Sequence, residues 1–172
     1  MKYRKYIRLK EYDYKTDGYY FVTIVTHNRL PLLCSGGCKS AIEECIKKLP
    51  KFISGLSIDW FVLMDNHIHV IFVFENCSRV LGRVVSAMKS AIAKIVLTNV
   101  NLSTMVYLHR PQQEADLHRP QQEADLHRPQ QSIWQWNYYE HIIRNEKALD
   151  KIRKYIEFNP DVEKPDWEKL EK

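Results

Sequence analysis

No apolar run in this 172-residue chain approaches the roughly 20 residues that cross a bilayer, so no membrane-spanning helix is expected. The basic N-terminus, MKYRKYIRLK, is followed by no apolar stretch of the signal-peptide kind. The expectation is a cytoplasmic protein with no membrane partner. Cysteine is sparse, at four residues: Cys34, Cys38, Cys45 and Cys77. Cys34 and Cys38 are spaced almost as in a zinc site, but no second close pair accompanies them, which favours reduced thiols over a metal knuckle. Apolar residues at 45% and charged residues at 27% exclude a chain too polar to bury a core. The length fits one domain, 1–172.

What is present is a modest positive charge, net +5, unevenly spread. Residues 1–15 hold Lys2, Arg4, Lys5, Arg8, Lys10 and Lys15 against Glu11 and Asp13, and six of the ten tyrosines fall within residues 1–20. Cations interleaved with rings suit a nucleic-acid backbone and its unstacked bases, although a solvated terminus has the same composition. The arm is bounded at about residues 1–17. A second unusual segment is a perfect nonapeptide repeat, LHRPQQEAD at 108–116 and again at 117–125, with LHRPQQ beginning a third copy at 126–131. Each copy carries one Leu, one Ala and a Pro, too little to build a shared core. His109, His118 and His127 recur in it, but nine helical residues turn about 900°, which points successive imidazoles to opposite sides. The segment, about 108–131, reads as a tolerated low-complexity insertion.

The remaining sequence alternates strand and helix patterns. YYFVTIVT at 19–26 is β-branched and aromatic, and predicts a strand. KSAIEECIKKLP at 39–50 spaces Ile42, Cys45, Ile46 and Leu49 as a helix, closed by Pro50. Residues 57–64 and 67–74 predict a hairpin turning at Asp65-Asn66. Leu81, Val84, Val85, Met88, Ala91, Ile92 and Ile95 form the stripe of a helix over 79–98. Residues 133–143 end in a strand, and Asn145 caps a helix over about 146–158 that Pro160 stops. The order βαββαβ predicts an α+β, ferredoxin-like antiparallel sheet with an extra C-terminal helix placed to cover its other face.

One constellation carries chemistry. In HIHVIFVF at 67–74 strand alternation puts His67 and His69 on one face, where two imidazoles can share a divalent ion or can simply be hydrogen-bonded. In the last helix Tyr155 and Asn159 stand four residues apart on one face, with Tyr155 flanking the stripe of Leu149, Ile152 and Ile156. Read alone, Tyr155 is a helix-edge residue and Asn159 a C-terminal cap. Beside a metal-activated phosphodiester, Tyr155 becomes a plausible covalent nucleophile and Asn159 a neutral oxygen ligand. Two imidazoles and an amide oxygen suit Mg²⁺ or Mn²⁺. Tyr138 and Tyr139 are rival nucleophiles without a ligand-type partner one helical turn away.

His67-Ile68-His69, followed much later by Tyr155-x3-Asn159 in KYIEFNP, together with GYYFVTIVTHNR at 18–29 and NYYEHIIRN at 137–145, resembles the single-tyrosine HUH transposases of the IS200/IS605 group, and most of all the REP-associated tyrosine transposases. The resemblance covers about residues 3–160 and is interrupted by the repeat, which departs from the family's pattern just ahead of the helix bearing Tyr155. It implies a metal-dependent endonuclease and strand transferase that cuts single-stranded DNA next to REP-like hairpins through a 5′-phosphotyrosine. Tyr155 would match the nucleophile, and His67, His69 and Asn159 the ligands of Mg²⁺ or Mn²⁺. The protein would act as a monomer or a homodimer and would associate with the nucleoid when bound to DNA. Candidate DNA contacts are Lys2, Arg4, Lys5, Arg8, Arg79, Arg83, Lys89 and Lys94, of which the last four suit a solvated helix face equally well. His141 and Arg144 are candidate supporting residues, and a structural role for His141 is as consistent. Two alternatives share these residues: an inactive DNA-hairpin-binding module, and a phosphodiester hydrolase using water.

Overall fold

Among the described residues, four strands and three α-helices follow one another in the order β1 (Gly18–Val25), α1 (Lys39–Lys48), β2 (Leu56–Leu63), β3 (His67–Phe74), α2 (Leu81–Asn99), β4 (Tyr139–Ile143) and α3 (Glu146–Phe158). The computed structural model describes residues 9, 11–34, 37–99 and 133–158. The repeat, Lys2, Arg4, Lys5, Arg8 and Asn159 lie outside the described residues. The strands form one fully antiparallel sheet in the order β2-β3-β1-β4, so the ferredoxin-like expectation holds for the sheet.

Strand alternation divides the side chains between two cores. On one face Tyr20, Val22, Ile24, Ile68, Val70, Phe72 and Phe74 pack with Ile42 and Ile46 of α1 and Leu81, Val84, Met88, Ile92 and Val96 of α2. On the other, Phe21, Ile71 and Ile143 pack with Ala148, Leu149, Ile152 and Ile156 of α3. The extra helix thus covers the second face. Asn145 starts it: its Oδ1 accepts the Ala148 N–H at 2.8 Å, satisfying an end donor.

The hairpin turns at Asp65-Asn66 as expected, closed by Met64 N–H to the His67 carbonyl at 3.0 Å. Three local features differ from the expectations. Pro50 sits inside a 3₁₀ turn, Leu49–Phe52, that extends α1, because a proline near a helical N-terminus loses no needed donor. In β2 the register slips between Ile58 and Trp60, a bulge that makes Asp59 the extra residue. Tyr12 and Tyr14, counted above with a base-stacking arm, are structural: Tyr12 lies 5.1 Å from Tyr14 and 6.4 Å from Tyr20 between ring centroids, and the Leu81 N–H bonds the Tyr14 carbonyl at 3.0 Å. Burial, and then the hydrogen bond with Tyr12, push the Tyr20 phenol far above its ordinary range. Among the described residues no helix is long and apolar enough to cross a membrane. The four cysteines form no disulfide, and burial raises the Cys34 thiol to about 11.

Candidate active site

Cross-strand register builds the site. Tyr139, Thr23, His69 and Val62 stand side by side across β4, β1, β3 and β2, and His67 is opposite Val25 in the row toward the hairpin. The neighbouring row on the other side holds His141, Phe21, Ile71 and Trp60. All face α3. His69 is 5% exposed. Its Nδ1 lies 2.8 Å from the Thr23 hydroxyl, and its ring stacks on Phe21 at 5.4 Å between centroids. His67 is half-buried, 4.8 Å from His69 between centroids, with its Nδ1 2.6 Å from Asn66 Oδ1. Burial, and then the nearby Arg29 charge, lower the His67 pKa, which favours the neutral, ligating imidazole.

Helix α3 delivers Tyr155 to this row. Its apolar stripe is the expected one, and Tyr155 flanks it, half-buried, with its ring 5.5 Å from His69 and 6.3 Å from Phe21. Burying Leu149, Ile152 and Ile156 contributes about 1.5–3 kcal/mol each, so packing decides that α3 docks at all. Its rotation and level have a second determinant. Arg153 Nε and Nη2 clamp the two carboxylate oxygens of Asp59, the first at 2.8 Å, and hold the guanidinium firmly protonated. Strand alternation puts Asp59 on the α3 face, and the bulge after it puts Trp60 on the same face. Arg153 lies two residues before Tyr155 on the same helix, about 200° around it, so the clamp holds one flank of α3 and the phenol lies on the other.

The structure therefore brings His67, His69 and Tyr155 together. The other candidates lie elsewhere. Tyr138 is on the opposite face, with the Lys89 ammonium 5.9 Å from its ring centroid, whereas Tyr139 shares the site's face and packs edge-on to Phe21. Arg79, Arg83 and Lys94 are exposed on and just before α2, across the sheet from the imidazoles. Lys89, expected at a phosphate, turns inward and donates to the carbonyls of Gln135 at 2.9 Å and Asn137 at 3.2 Å. Its burial lowers its pKa to about 8. His141 is one row from His69, beside Phe21. Arg144 lines a cleft of about 540 Å³ with Tyr12, Gly18 and Tyr19, at the other end of β1. Thr23, Asn66, Asp59 and Arg153 carry no motif; register and hydrogen bonding alone reveal them.

The donor set partly fits a divalent ion. His67 and His69 share a face, and with Nδ1 of each engaged a metal would be taken through Nε2. Among the described residues no three or more His, Cys, Asp or Glu side chains are grouped to hold a metal, so the pair needs oxygen ligands of another kind. Amide, phosphate or water oxygens complete such a set for Mg²⁺ or Mn²⁺.

No family model matches the chain. An uncharacterised protein of Haemophilus influenzae is 29% identical over 165 residues, covering 91% of this chain and 88% of its own. A solved structure of a REP-associated tyrosine transposase bound to a REP hairpin superposes with a TM-score of 0.54 at 20% identity, covering 89% of this chain and 72% of that one. Over most of its length this chain thus shares the fold of a REP-associated tyrosine transposase.

Proposed function

We propose that this chain is a metal-dependent enzyme that nicks and rejoins single-stranded DNA beside a hairpin. The observation that carries the reading is the convergence of His67, His69 and Tyr155 from two distant segments onto one sheet face, with ring centroids 4.8 and 5.5 Å apart around His69. The fold likeness to a protein whose structure holds a REP hairpin supports DNA as the partner.

In this reading Tyr155 Oη attacks the scissile phosphorus. The new bond is a 5′-phosphotyrosine; the bond broken is that to the 3′ oxygen. The tyrosyl proton leaves to solvent, and the departing oxygen takes a proton to become a 3′-OH. Rejoining is the reverse, with a 3′-OH as nucleophile. His67 and His69, with Asn159 as the further ligand, would hold Mg²⁺ or Mn²⁺. When bound, the ion polarises the phosphoryl group and stabilises charge on its oxygens. Thr23 and Phe21 keep the His69 ring in place, and the Arg153–Asp59 clamp keeps Tyr155 at the level of the imidazoles.

The test is incubation of the full chain with single-stranded DNA hairpins and Mn²⁺, followed by denaturing electrophoresis. The parent protein should form a covalent protein–DNA adduct and release a 3′-OH fragment. Tyr155→Phe should lose cleavage on the order of 10³-fold or more while binding DNA nearly as well. Cleavage without an adduct would instead identify a hydrolase using water, binding without cleavage a recognition module, and a full adduct with Tyr155→Phe would move the nucleophile to Tyr139.

A further inference from the structure

The chain reverses sharply after β1. Asn28 at φ 51° and Arg29 at φ 56° both adopt the left-handed conformation, uncommon for a side chain as bulky as arginine. The corner is tied to the hairpin turn by two bonds: Thr26 N–H to the Asn66 carbonyl at 2.9 Å, and Asn66 Nδ2 to the Arg29 carbonyl at 3.2 Å. The last bond has a consequence for His67. A backbone carbonyl only accepts, so the amide nitrogen of Asn66 must face Arg29. Its oxygen, also only an acceptor, then faces His67 Nδ1 at 2.6 Å. That nitrogen must carry the proton. In the neutral ring the lone pair is therefore on Nε2.

We propose that Asn66 is a positioning residue that sets the tautomer and orientation of His67 for a divalent cation, and that the left-handed Arg29 backbone holds Asn66 in the working orientation. The inference rests on His67 being a metal ligand. Asn66 touches neither metal nor DNA; it acts through the imidazole. Outer partners of this kind typically tune metal affinity 10- to 100-fold.

The experiment reads the ring directly, by ¹⁵N NMR of the histidines in the full chain without metal, and separately by Mn²⁺ titration. The parent should show His67 protonated on Nδ1. Asn66→Ala should shift it toward the Nε2-protonated form and weaken Mn²⁺ binding about 10- to 100-fold. Asn66→Asp, which keeps an acceptor, should restore the Nδ1 proton and most of the affinity. Should the alanine variant not fold, Asn66→Ser carries the same test, its hydroxyl being too short to bridge both partners. Arg29→Gly keeps the carbonyl and suits the positive φ, so it should leave the tautomer unchanged. An unaltered tautomer in Asn66→Ala, or an altered one in Arg29→Gly, would overturn the proposal. A parent protein that takes no Mn²⁺ would sink the metal reading itself, and the tautomer measurement would still decide the role of Asn66.

Discussion

At the scale of single residues, the two imidazoles differ in what else they do. His69 is buried between Phe21 and Tyr155, whereas His67 is half-exposed and held from one side. Both should be needed for Mn²⁺-dependent cleavage. His69→Ala should in addition cost about 1–3 kcal/mol of stability through lost packing and an orphaned Thr23 hydroxyl, and His67→Ala under about 1. Thermal melts beside cleavage assays check this; equal melting of the two variants would mean that His69 does not anchor the face. Lys89 gives a pH signature. Its folded pKa of about 8 lies below the ordinary 10.5, so between those values the unfolded chain binds more protons and stability contributed by this group rises with pH. Below about pH 8 the folded protein carries the full cost of burying the charge. Lys89→Met should flatten that rise in a comparison of denaturant midpoints from pH 8 to 10.5, and an unchanged slope would place the ammonium in water. His67, His69 and Tyr155 were legible in the sequence because each sits in a periodic pattern. Thr23, Asn66 and Arg29 were not, because the bonds that give them a role join Thr23 to His69 across 46 positions and Asn66 to Arg29 across 37, through pairing that no local pattern encodes.

Among the elements, α3 positions Tyr155 by packing on the sheet face alone. Its apolar stripe lets it slide or roll by small amounts at little cost; a bidentate ion pair does not. Arg153→Ala should therefore lower cleavage more than it lowers stability. The Arg153 and Asp59 side chains are 35% and 15% exposed, which limits the stability loss to about 1 kcal/mol, while a misplaced nucleophile loses on the order of 100-fold in rate. A double-mutant cycle with Asp59→Ala should be strongly non-additive in rate, and additive effects would separate the ion pair from the chemistry. The strands, the hairpin turn and the caps of this fold follow from β-branched runs, Asp65-Asn66 and Asn145. The bulge does not. Asp59 reads as the polar member of an ordinary alternation, and only its partner 94 residues away shows that the strand gains a residue there.

For the whole molecule, the two cores separate structural from chemical duties: α1 and α2 stabilise the sheet from one side and leave the other to α3. Residues from Leu9 onward join the first core through Tyr12 and Tyr14, so the dispensable arm is shorter than its composition indicates. Deleting residues 1–8 removes Lys2, Arg4, Lys5 and Arg8 and keeps Tyr12 and Tyr14. Hairpin binding should weaken, and the slope of log affinity against log salt should flatten by about 3. Melting temperature should stay constant. An unchanged slope would assign these cations to solvent and leave DNA contact to other positive groups.

Where the chain returns at Ile133 it is fastened at once. His27 N–H bonds the Ile133 carbonyl at 2.8 Å, Gln135 N–H bonds the Val25 carbonyl at 2.9 Å, and Trp134 Nε1 bonds the Lys89 carbonyl at 2.9 Å. This clasp fixes Ile133–Gln135 against β1 and α2 by bonds of its own, just ahead of β4, so a change in the number of nonapeptide copies should leave the start of β4 where it is. Losing one copy from residues 100–132 changes the closure entropy by about 0.3 kcal/mol. A replication slip in the coding sequence should therefore meet little mechanical resistance here, and the repeat could lengthen or shorten across generations while Tyr155 stays in register.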